Sequence, residues 1–186
     1  MKTELTKEDK QRAGHQEIQG ETIAKFEFFE QGYNPYSRYL DVDKVDLVLR
    51  KRQGTVVEYK EVQVKYGRLY DTGPVWQKKL FDMTSWRMLK PEEFASAHSN
   101  LFIAYVLAHP NGYKGDIFIF PAKTFHQLVK SCIQGKSKQG DYAKMLISRA
   151  VNTDRWFIWR KTRFEVVDKD SAIEVTQYRR NFELSN

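Results

Sequence analysis

The feature that most constrains the fold of this chain is an uninterrupted apolar segment at residues 101–108. Its eight residues are too few to cross a bilayer, because a membrane-spanning helix needs about 20. A strand that is apolar at every position is typical of a sheet covered on both faces. The segment therefore predicts a buried central strand. The composition, 41% hydrophobic with 14% aromatic residues, supplies a real core and excludes general disorder.

Other segments have the patterns of helices and strands in alternation along the chain. Helices are predicted from the helical spacing of apolar residues, from capping residues and from prolines at the first helical position. The predicted helices cover residues 17–30, 121–132 and 141–150, and a further helix is predicted to start at Pro91. Strands are predicted from β-branched and aromatic residues bounded by turns; they are residues 33–40, a hairpin over 45–66, and residues 117–120, 156–159 and 164–167.

This order of elements predicts an α/β fold with a sheet covered on both faces. A length of 186 residues favours one domain, which we assign to residues 14–186 after a flexible N-terminus at 1–13. The first residues lack the apolar stretch of a secretory signal, and the single cysteine, Cys132, excludes an internal disulfide framework. We therefore expect a cytoplasmic protein that is not inserted in a membrane.

The hairpin carries polar side chains within otherwise apolar strands, which is costly unless they are paired or bind something. Residues two apart on a strand share a face, so Glu61, Gln63 and Lys65 project together. Asp46 comes from the partner strand. A two-residue loop at positions 53–54 places Asp46 opposite Glu61, whereas pairing of Arg52 with Val57 places it opposite Gln63. Both registers bring Asp46 to the polar face.

A carboxylate, an amide oxygen and a lysine in one cluster suit phosphodiester chemistry. Hard cations such as Mg²⁺ prefer oxygen ligands and keep several waters. Such an ion lowers the pKa of a bound water and offsets charge on a phosphate. A neighbouring lysine can orient or deprotonate the attacking water, or neutralise a phosphate oxygen.

The sequence resembles the PD-(D/E)xK nuclease superfamily, in the branch with Gln-x-Lys in place of Glu-x-Lys. The resemblance covers residues 14–130, and a basic extension at 131–186 follows. The matching segments are Gly-Glu-Thr-Ile-Ala at 20–24, Gly-Tyr at 32–33, Val-Asp-Leu-Val at 45–48, Val-Gln-Val-Lys at 62–65 and Pro-Ala at 121–122.

The resemblance implies a restriction-endonuclease-like core, a mixed central sheet flanked by helices. It also implies hydrolysis of phosphodiester bonds with Mg²⁺, for which Mn²⁺ can substitute. Carried over residue by residue, Asp46 is the central metal ligand, Gln63 a second ligand and Lys65 the catalytic lysine. Glu21, on the first helix, completes the metal site.

Two alternatives remain open at this point. Glu58 and Lys60 form a literal Glu-x-Lys, on the opposite face of the strand from Gln63 and Lys65 unless a bulge intervenes. In addition, Gln63 is neutral, and Val45 stands where the family has proline. Because of these two departures, the second hypothesis is a catalytically degenerate DNA-binding or regulatory module of the same fold.

The net charge of +7 is concentrated in residues 121–186, which hold 13 Lys and Arg against 7 Asp and Glu. A basic surplus suits a polyanion, because each phosphate contact releases counterions. We expect DNA as the partner, leave RNA open, and regard a homodimer as reasonable for cutting both strands. Trp156 and Trp159, which lie among these basic residues, either stack on bases or belong to the core. The predicted nucleic-acid-binding residues are Lys136, Lys138, Lys144, Arg149, Arg155, Arg160, Lys161 and Arg163.

Overall fold

A computed structural model describes residues 7–37, 44–95, 98–137 and 140–184. Within these ranges the chain is an α/β fold with a mixed sheet, a second sheet and few helices. The helices are α1 (Lys7–Glu30), α2 (Val75–Lys78) and α3 (Ala122–Ser131), with short 3₁₀ helices at Pro91–Phe94 and Thr176–Tyr178. Among these residues no helix is both long enough and apolar enough to cross a membrane.

The strands carry most of the structure. In chain order they are β1 (Asn34–Ser37), β2 (Leu47–Gln53), β3 (Val56–Arg68), β4 (Tyr70–Asp71), β5 (Phe81–Leu89), β6 (Leu101–His109), β7 (Gly112–Pro121), β8 (Ile133–Ser137), β9 (Gly140–Ala150), β10 (Trp156–Trp159) and β11 (Ala172–Glu174). The predicted strand over 33–40 is observed as β1 at 34–37, and residues 38–40 lie outside the described ranges.

The first sheet has the order β1-β2-β3-β6-β7. β3 and β6 are parallel and the other neighbours are antiparallel, so the sheet is mixed. The prediction of a buried central strand at 101–108 is confirmed, because β6 lies between β3 and β7. Its interior residues, 102–108, are buried on both faces of the sheet.

The second sheet joins β11, β10, β9, β5 and β4 in that order, with β8 paired to β9. The helix predicted over 141–150 is wrong, since this segment is strand β9. The strand predicted over 164–167 is also wrong, because this segment is a loop without strand pairing. Asp141 has the chemistry of a helix cap, but Ala143, Met145 and Ile147 alternate as strand residues do, and all three are buried.

The two faces of the first sheet are covered differently. α1 packs Ala24 and Phe28 on one face, against Leu47, Val62 and Phe102. The other face packs on the second sheet and on α3, through a larger cluster. That cluster includes Ile103, Tyr105, Phe118, Phe120, Phe125, Met145, Ile147 and Trp156. The sheet is therefore covered on both faces, as the sequence predicts, but one cover is mainly a second sheet.

The ends of the helices follow local chemistry. α1 begins at Lys7, well before the predicted start at residue 17, and the chain leaves it through Gly32 at a φ of 79°, a conformation that favours glycine. α3 follows Pro121 as predicted and buries Phe125, Leu128 and Val129 on one stripe. The helix start predicted at Pro91 is observed as a 3₁₀ turn.

Trp156 and Trp159 are 0% and 1% exposed. Both side chains therefore belong to the core, and their alternative role as base-stacking residues is wrong. They are on opposite faces of β10, since Trp156 joins the cluster between the sheets and Trp159 packs behind the second sheet on Phe81 and Phe164.

Candidate functional site

The candidate site lies where β3 continues past Val62, which pairs with Leu47, the first residue of β2. The hairpin pairs Arg52 with Val57 and Leu47 with Val62, which is the register that places Asp46 opposite Gln63. The backbone N–H of Asp46 donates to the carbonyl of Val62 at 2.9 Å, and the strand pairing stops there. The following residues of β3 therefore have a strand partner on one side and an opening on the other.

Asp46 fills part of this opening with its side chain. Its Oδ2 accepts a hydrogen bond of 2.5 Å from the backbone N–H of Val64. The carboxylate takes the position of a backbone acceptor, and its link to β3 fixes it beside the residues on either side of Val64. A charge-assisted hydrogen bond of this kind is strong and orients the acid.

A cavity of about 350 Å³ opens at this place. Asp46, Gln63 and Lys65 all line it, so the structure brings these three predicted site residues together. Gln63 is only 5% exposed and Lys65 is half-buried. The remaining lining residues are Gln16, Glu17, Lys44, Val64, Tyr66, Arg87 and Glu93.

Helix α1 forms one wall of the cavity because it crosses β3 closely. A Cβ added at Gly20 would lie 3.0 Å from the Cβ of Tyr66, so glycine allows the two backbones to approach. One turn earlier, Glu17 reaches the cavity. Glu21 is half-buried on the same side of the helix and is not one of the lining residues.

The opposite wall comes from the second sheet and the 3₁₀ turn. Arg87 of β5 donates from Nη1 to the carbonyl oxygen of Tyr66 at 2.6 Å, which joins the two sheets at the site. Glu93, in the 3₁₀ turn, also lines the cavity. The Nζ of Lys65 is 5.9 Å from the ring centre of Phe94, the last residue of this turn.

Burial lowers the pKa of Lys65 from its ordinary value of 10.5, and the positive charge of Arg87 lowers it further. Asp46 and Glu93 oppose this effect, but the net direction is downward. The amine of Lys65 is therefore more readily neutral than an exposed lysine, which is the condition a proton-accepting lysine requires.

Three cations and three acids line the cavity: Lys44, Lys65 and Arg87 against Glu17, Asp46 and Glu93. Mg²⁺ is usually held by one or two carboxylates together with waters and substrate phosphates. Asp46, Glu17 and the amide oxygen of Gln63 are donors of this type, so the residues present fit the ion. Within the described ranges no three His, Cys, Asp or Glu side chains are grouped so that they alone could hold a metal.

The alternative pair, Glu58 and Lys60, lies on the part of β3 that pairs with β2, before the site is reached. The Nζ of Lys60 is 5.8 Å from the ring centre of Phe102, which packs under α1. Neither Glu58 nor Lys60 lines the cavity. These two residues lie on the face of β3 that carries Val62, without the bulge that would have turned them toward Asp46.

The predicted nucleic-acid-binding residues are spread over several surfaces. Lys136 lines a cavity next to the site, and Lys144 lies over the ring of Trp86. Arg149 is paired with Asp82, Arg155 with Glu174, and Arg160 donates to the carbonyl of Lys169. Lys161 and Arg163 are exposed in the loop after β10, and Lys138 lies outside the described residues.

Arg87, Glu93 and Lys44 belong to the site and were missed by sequence reasoning. Lys44 lies two residues before Asp46 in the sequence, and this proximity was the only signal for its place in the site. Arg87 lies before Pro91, in a stretch for which no helix or strand was predicted, and Glu93 lies in the first turn of the helix predicted to start at Pro91, without a signal that it reaches the site. Their placement depends on packing between the two sheets, which no local pattern reveals.

Comparison of the chain with protein-family models, with curated proteins and with solved structures finds no match.

Proposed function

We propose that this protein is a metal-dependent endonuclease that hydrolyses DNA phosphodiester bonds, of a restriction, junction-resolving or repair type. One observation carries the proposal: Asp46, Gln63 and Lys65 line a single cavity at the open edge of β3. An acid, an amide oxygen and a lysine of lowered pKa in one partly enclosed site are suited to the attack of water on a phosphate.

The roles of the side chains follow from their positions. Asp46 and Gln63 are the central oxygen donors for Mg²⁺ or Mn²⁺, with Glu17 or Glu21 of α1 as an additional acid. When bound, the ion would lower the pKa of a water and offset the negative charge of the phosphate. Lys65 orients that water or accepts its proton.

Arg87 adds a function that the sequence does not predict. Its guanidinium is held against the carbonyl of Tyr66 and lines the same cavity as Lys65. A guanidinium carries several donors in a fixed plane, so it can bind a phosphate oxygen while it keeps its bond to the backbone. Arg87 therefore positions the phosphate, and its charge adds to the lowering of the Lys65 pKa that burial causes.

The fold supports the same proposal at a coarser level. In this proposal helix α1, the mixed first sheet and α3 would be the restriction-endonuclease-like core, and the strands of residues 131–186 would be the added basic part. DNA contacts from this part would position the substrate through its phosphates without reading its sequence. A homodimer would place two such sites on a duplex.

The test is cleavage of supercoiled, linear and branched DNA in the presence of Mg²⁺ or Mn²⁺. We expect at least one substrate to be cut, and Asp46→Ala and Lys65→Ala to lose activity. Glu58→Ala and Lys60→Ala are matched controls, because they remove one negative and one positive charge from β3 outside the cavity, and they should retain activity. No cleavage of any substrate, or full cleavage by the two site variants, would contradict the proposal.

A second candidate function is a DNA-binding module with a degenerate nuclease site. The observation that favours it is the neutral amide of Gln63, which gives the site one carboxylate fewer than a Glu-x-Lys pattern does. Three cations in the cavity would instead hold a phosphate directly. This function predicts DNA binding in EDTA that weakens steeply with added salt, with no hydrolysis under any metal.

A further inference from the structure

A second cavity, of about 630 Å³, adjoins the candidate site and shares three of its lining residues, Lys65, Arg87 and Glu93. It extends from the end of β5 to the hairpin formed by β8 and β9. Its volume lies within the range of cavities that hold small organic ligands, about 300–1,000 Å³. A ligand whose reacting group lies at Lys65 can therefore continue into this second cavity.

The charge of the second cavity favours an anionic ligand. Four cations line it, namely Lys65, Arg87, Lys90 and Lys136, against the two acids Glu93 and Asp141. Lys90 and Lys136 are exposed at its mouth, where a phosphate can reach them without desolvating a buried charge. The cations thus extend from the candidate site to the β8–β9 hairpin.

One aromatic side chain of this cavity lies directly against a glycine. Tyr142 lies opposite Gly135 in the β8–β9 pairing. A Cβ added at Gly135 would lie 2.6 Å from the Oη of Tyr142 and would overlap its ring. The ring therefore rests across the α-carbon of Gly135, which only glycine permits, while the side chain also lines the cavity.

We propose that Tyr142 stacks on an unpaired base next to the phosphate held by Lys65 and Arg87, so that the second cavity binds a single-stranded segment of the nucleic acid. Stacking on an aromatic ring requires a base released from its neighbours, as occurs in single strands, overhangs and branch points. This inference rests on the proposed function, because it takes nucleic acid as the ligand. It selects the substrate class: DNA with an unpaired segment beside the cut.

The experiment measures binding in EDTA, where no hydrolysis occurs, by fluorescence anisotropy with a labelled single-stranded oligonucleotide and with a blunt duplex. Tyr142→Ala should weaken single-strand binding about tenfold and duplex binding less than about twofold. Tyr142→Phe keeps the ring and should bind as the parent protein does. Gly135→Ala should reproduce the loss, because its Cβ displaces the ring.

Two further variants control this measurement. Tyr59→Ala removes an exposed tyrosine of β3 and should change neither affinity. Tyr142→Leu keeps an apolar side chain on the hairpin and provides the test if the alanine variant does not fold. Equal losses for single strand and duplex, or a Tyr142→Phe variant as weak as Tyr142→Ala, would overturn the inference.

The cleavage assay separates failure of this inference from failure of the proposed function. Suppose that the parent protein cuts DNA, and that Tyr142→Ala binds and cuts overhang and blunt substrates as the parent does. The proposed stacking site is then wrong, and the proposed nuclease function is supported. If no substrate is cut but Tyr142→Ala weakens single-strand binding selectively, the nuclease is wrong and the single-strand site is supported.

Discussion

Asp46 Oδ2 accepts a hydrogen bond of 2.5 Å from the backbone N–H of Val64, one residue before Lys65. This bond attaches the acid to the strand that carries the lysine, at the point where β2 no longer pairs with β3. Asp46 therefore has a structural role in closing the sheet edge and, in the proposed function, a chemical one at the cavity. The two roles respond differently to substitution.

We expect Asp46→Asn to separate these roles. The asparagine keeps an oxygen that can accept from Val64, so the free energy of unfolding should change by less than about 1 kcal/mol. Without the negative charge, cleavage should fall by roughly 100-fold or more.

Asp46→Ala removes the acceptor as well and should cost about 1–3 kcal/mol, because the N–H of Val64 loses its partner. Urea unfolding and a cleavage assay on the same preparations measure both effects. Equal stability of the asparagine and alanine variants would show that the hydrogen bond to Val64 contributes little.

Gln63→Glu tests whether the neutral amide limits metal binding. The substitution gives the cavity a second carboxylate beside Asp46, and the affinity of oxygen sites for hard cations rises with the number of charged ligands. The Mg²⁺ concentration for half-maximal cleavage should fall roughly tenfold. In EDTA the variant should be less stable than the parent, because two carboxylates then face each other.

Calorimetric titration of Gln63→Glu with Mg²⁺ gives the affinity independently of activity. The control is Gln53→Glu, which adds the same charge at an exposed position of β2 outside the cavity. A Gln63→Glu variant that needs as much Mg²⁺ as the parent would argue against Gln63 as a ligand position.

The elements that the sequence predicts correctly depend on nearby residues. The apolar strand at 101–108, the hairpin and α3 each have a periodicity or turn that short-range chemistry determines. The hairpin also confines Asp46 to the polar face of β3 in either register, so the centre of the site follows from local pairing. The register itself is set by Gly54, whose φ of 60° places it in the turn.

The elements that were missed depend on contacts between distant segments. The segment of β9 was predicted as a helix because Asp141 is a good N-cap residue. Its alternating Ala143, Met145 and Ile147 are buried as strand residues, and pairing with β5 stabilises the strand. Arg87 enters the site because β5 packs against β3. A sequence pattern records neither the packing of two sheets nor which side chain crosses between them.

The C-terminal segment should contribute strongly to stability, because Phe182 closes the core under α1. Its ring meets Phe28 edge-on at 5.5 Å, and the hydroxyl of Tyr33 donates to its carbonyl at 2.8 Å. Phe182→Ala should lower the free energy of unfolding by about 3–4 kcal/mol. Val166→Ala, at a side chain that is 67% exposed, should change it by less than about 0.5 kcal/mol. Urea unfolding compares the two, and similar losses would contradict this role of Phe182.

Cys132 should be unreactive in the folded protein. Its side chain is 4% exposed, and burial raises the pKa of its thiol to about 12. Because the thiolate is the reactive form, alkylation by iodoacetamide at pH 8 should occur only when the chain opens. Its rate should rise with urea in parallel with unfolding measured by tryptophan fluorescence. Rapid alkylation without urea would show that α3 opens locally.

Lys65→Met should stabilise the protein at neutral pH while it abolishes cleavage. Burial and Arg87 lower the pKa of Lys65 in the fold, so holding this amine charged costs stability, and its removal should raise the free energy of unfolding by roughly 0.5–2 kcal/mol. Just below the ordinary pKa of 10.5 the unfolded chain binds more protons at Lys65 than the folded one does, so the parent gains stability as the pH rises through this window.

The advantage of Lys65→Met should therefore be full at pH 7 and shrink toward pH 10. Thermal unfolding of both proteins in EDTA at several pH values measures the difference without a bound metal. Lys60→Met is the matched control, because it makes the same substitution on the same strand outside the cavity. If the stability advantage of Lys65→Met instead grew as the pH rises, its pH dependence would have the opposite sign, and a lowered pKa at Lys65 would be contradicted.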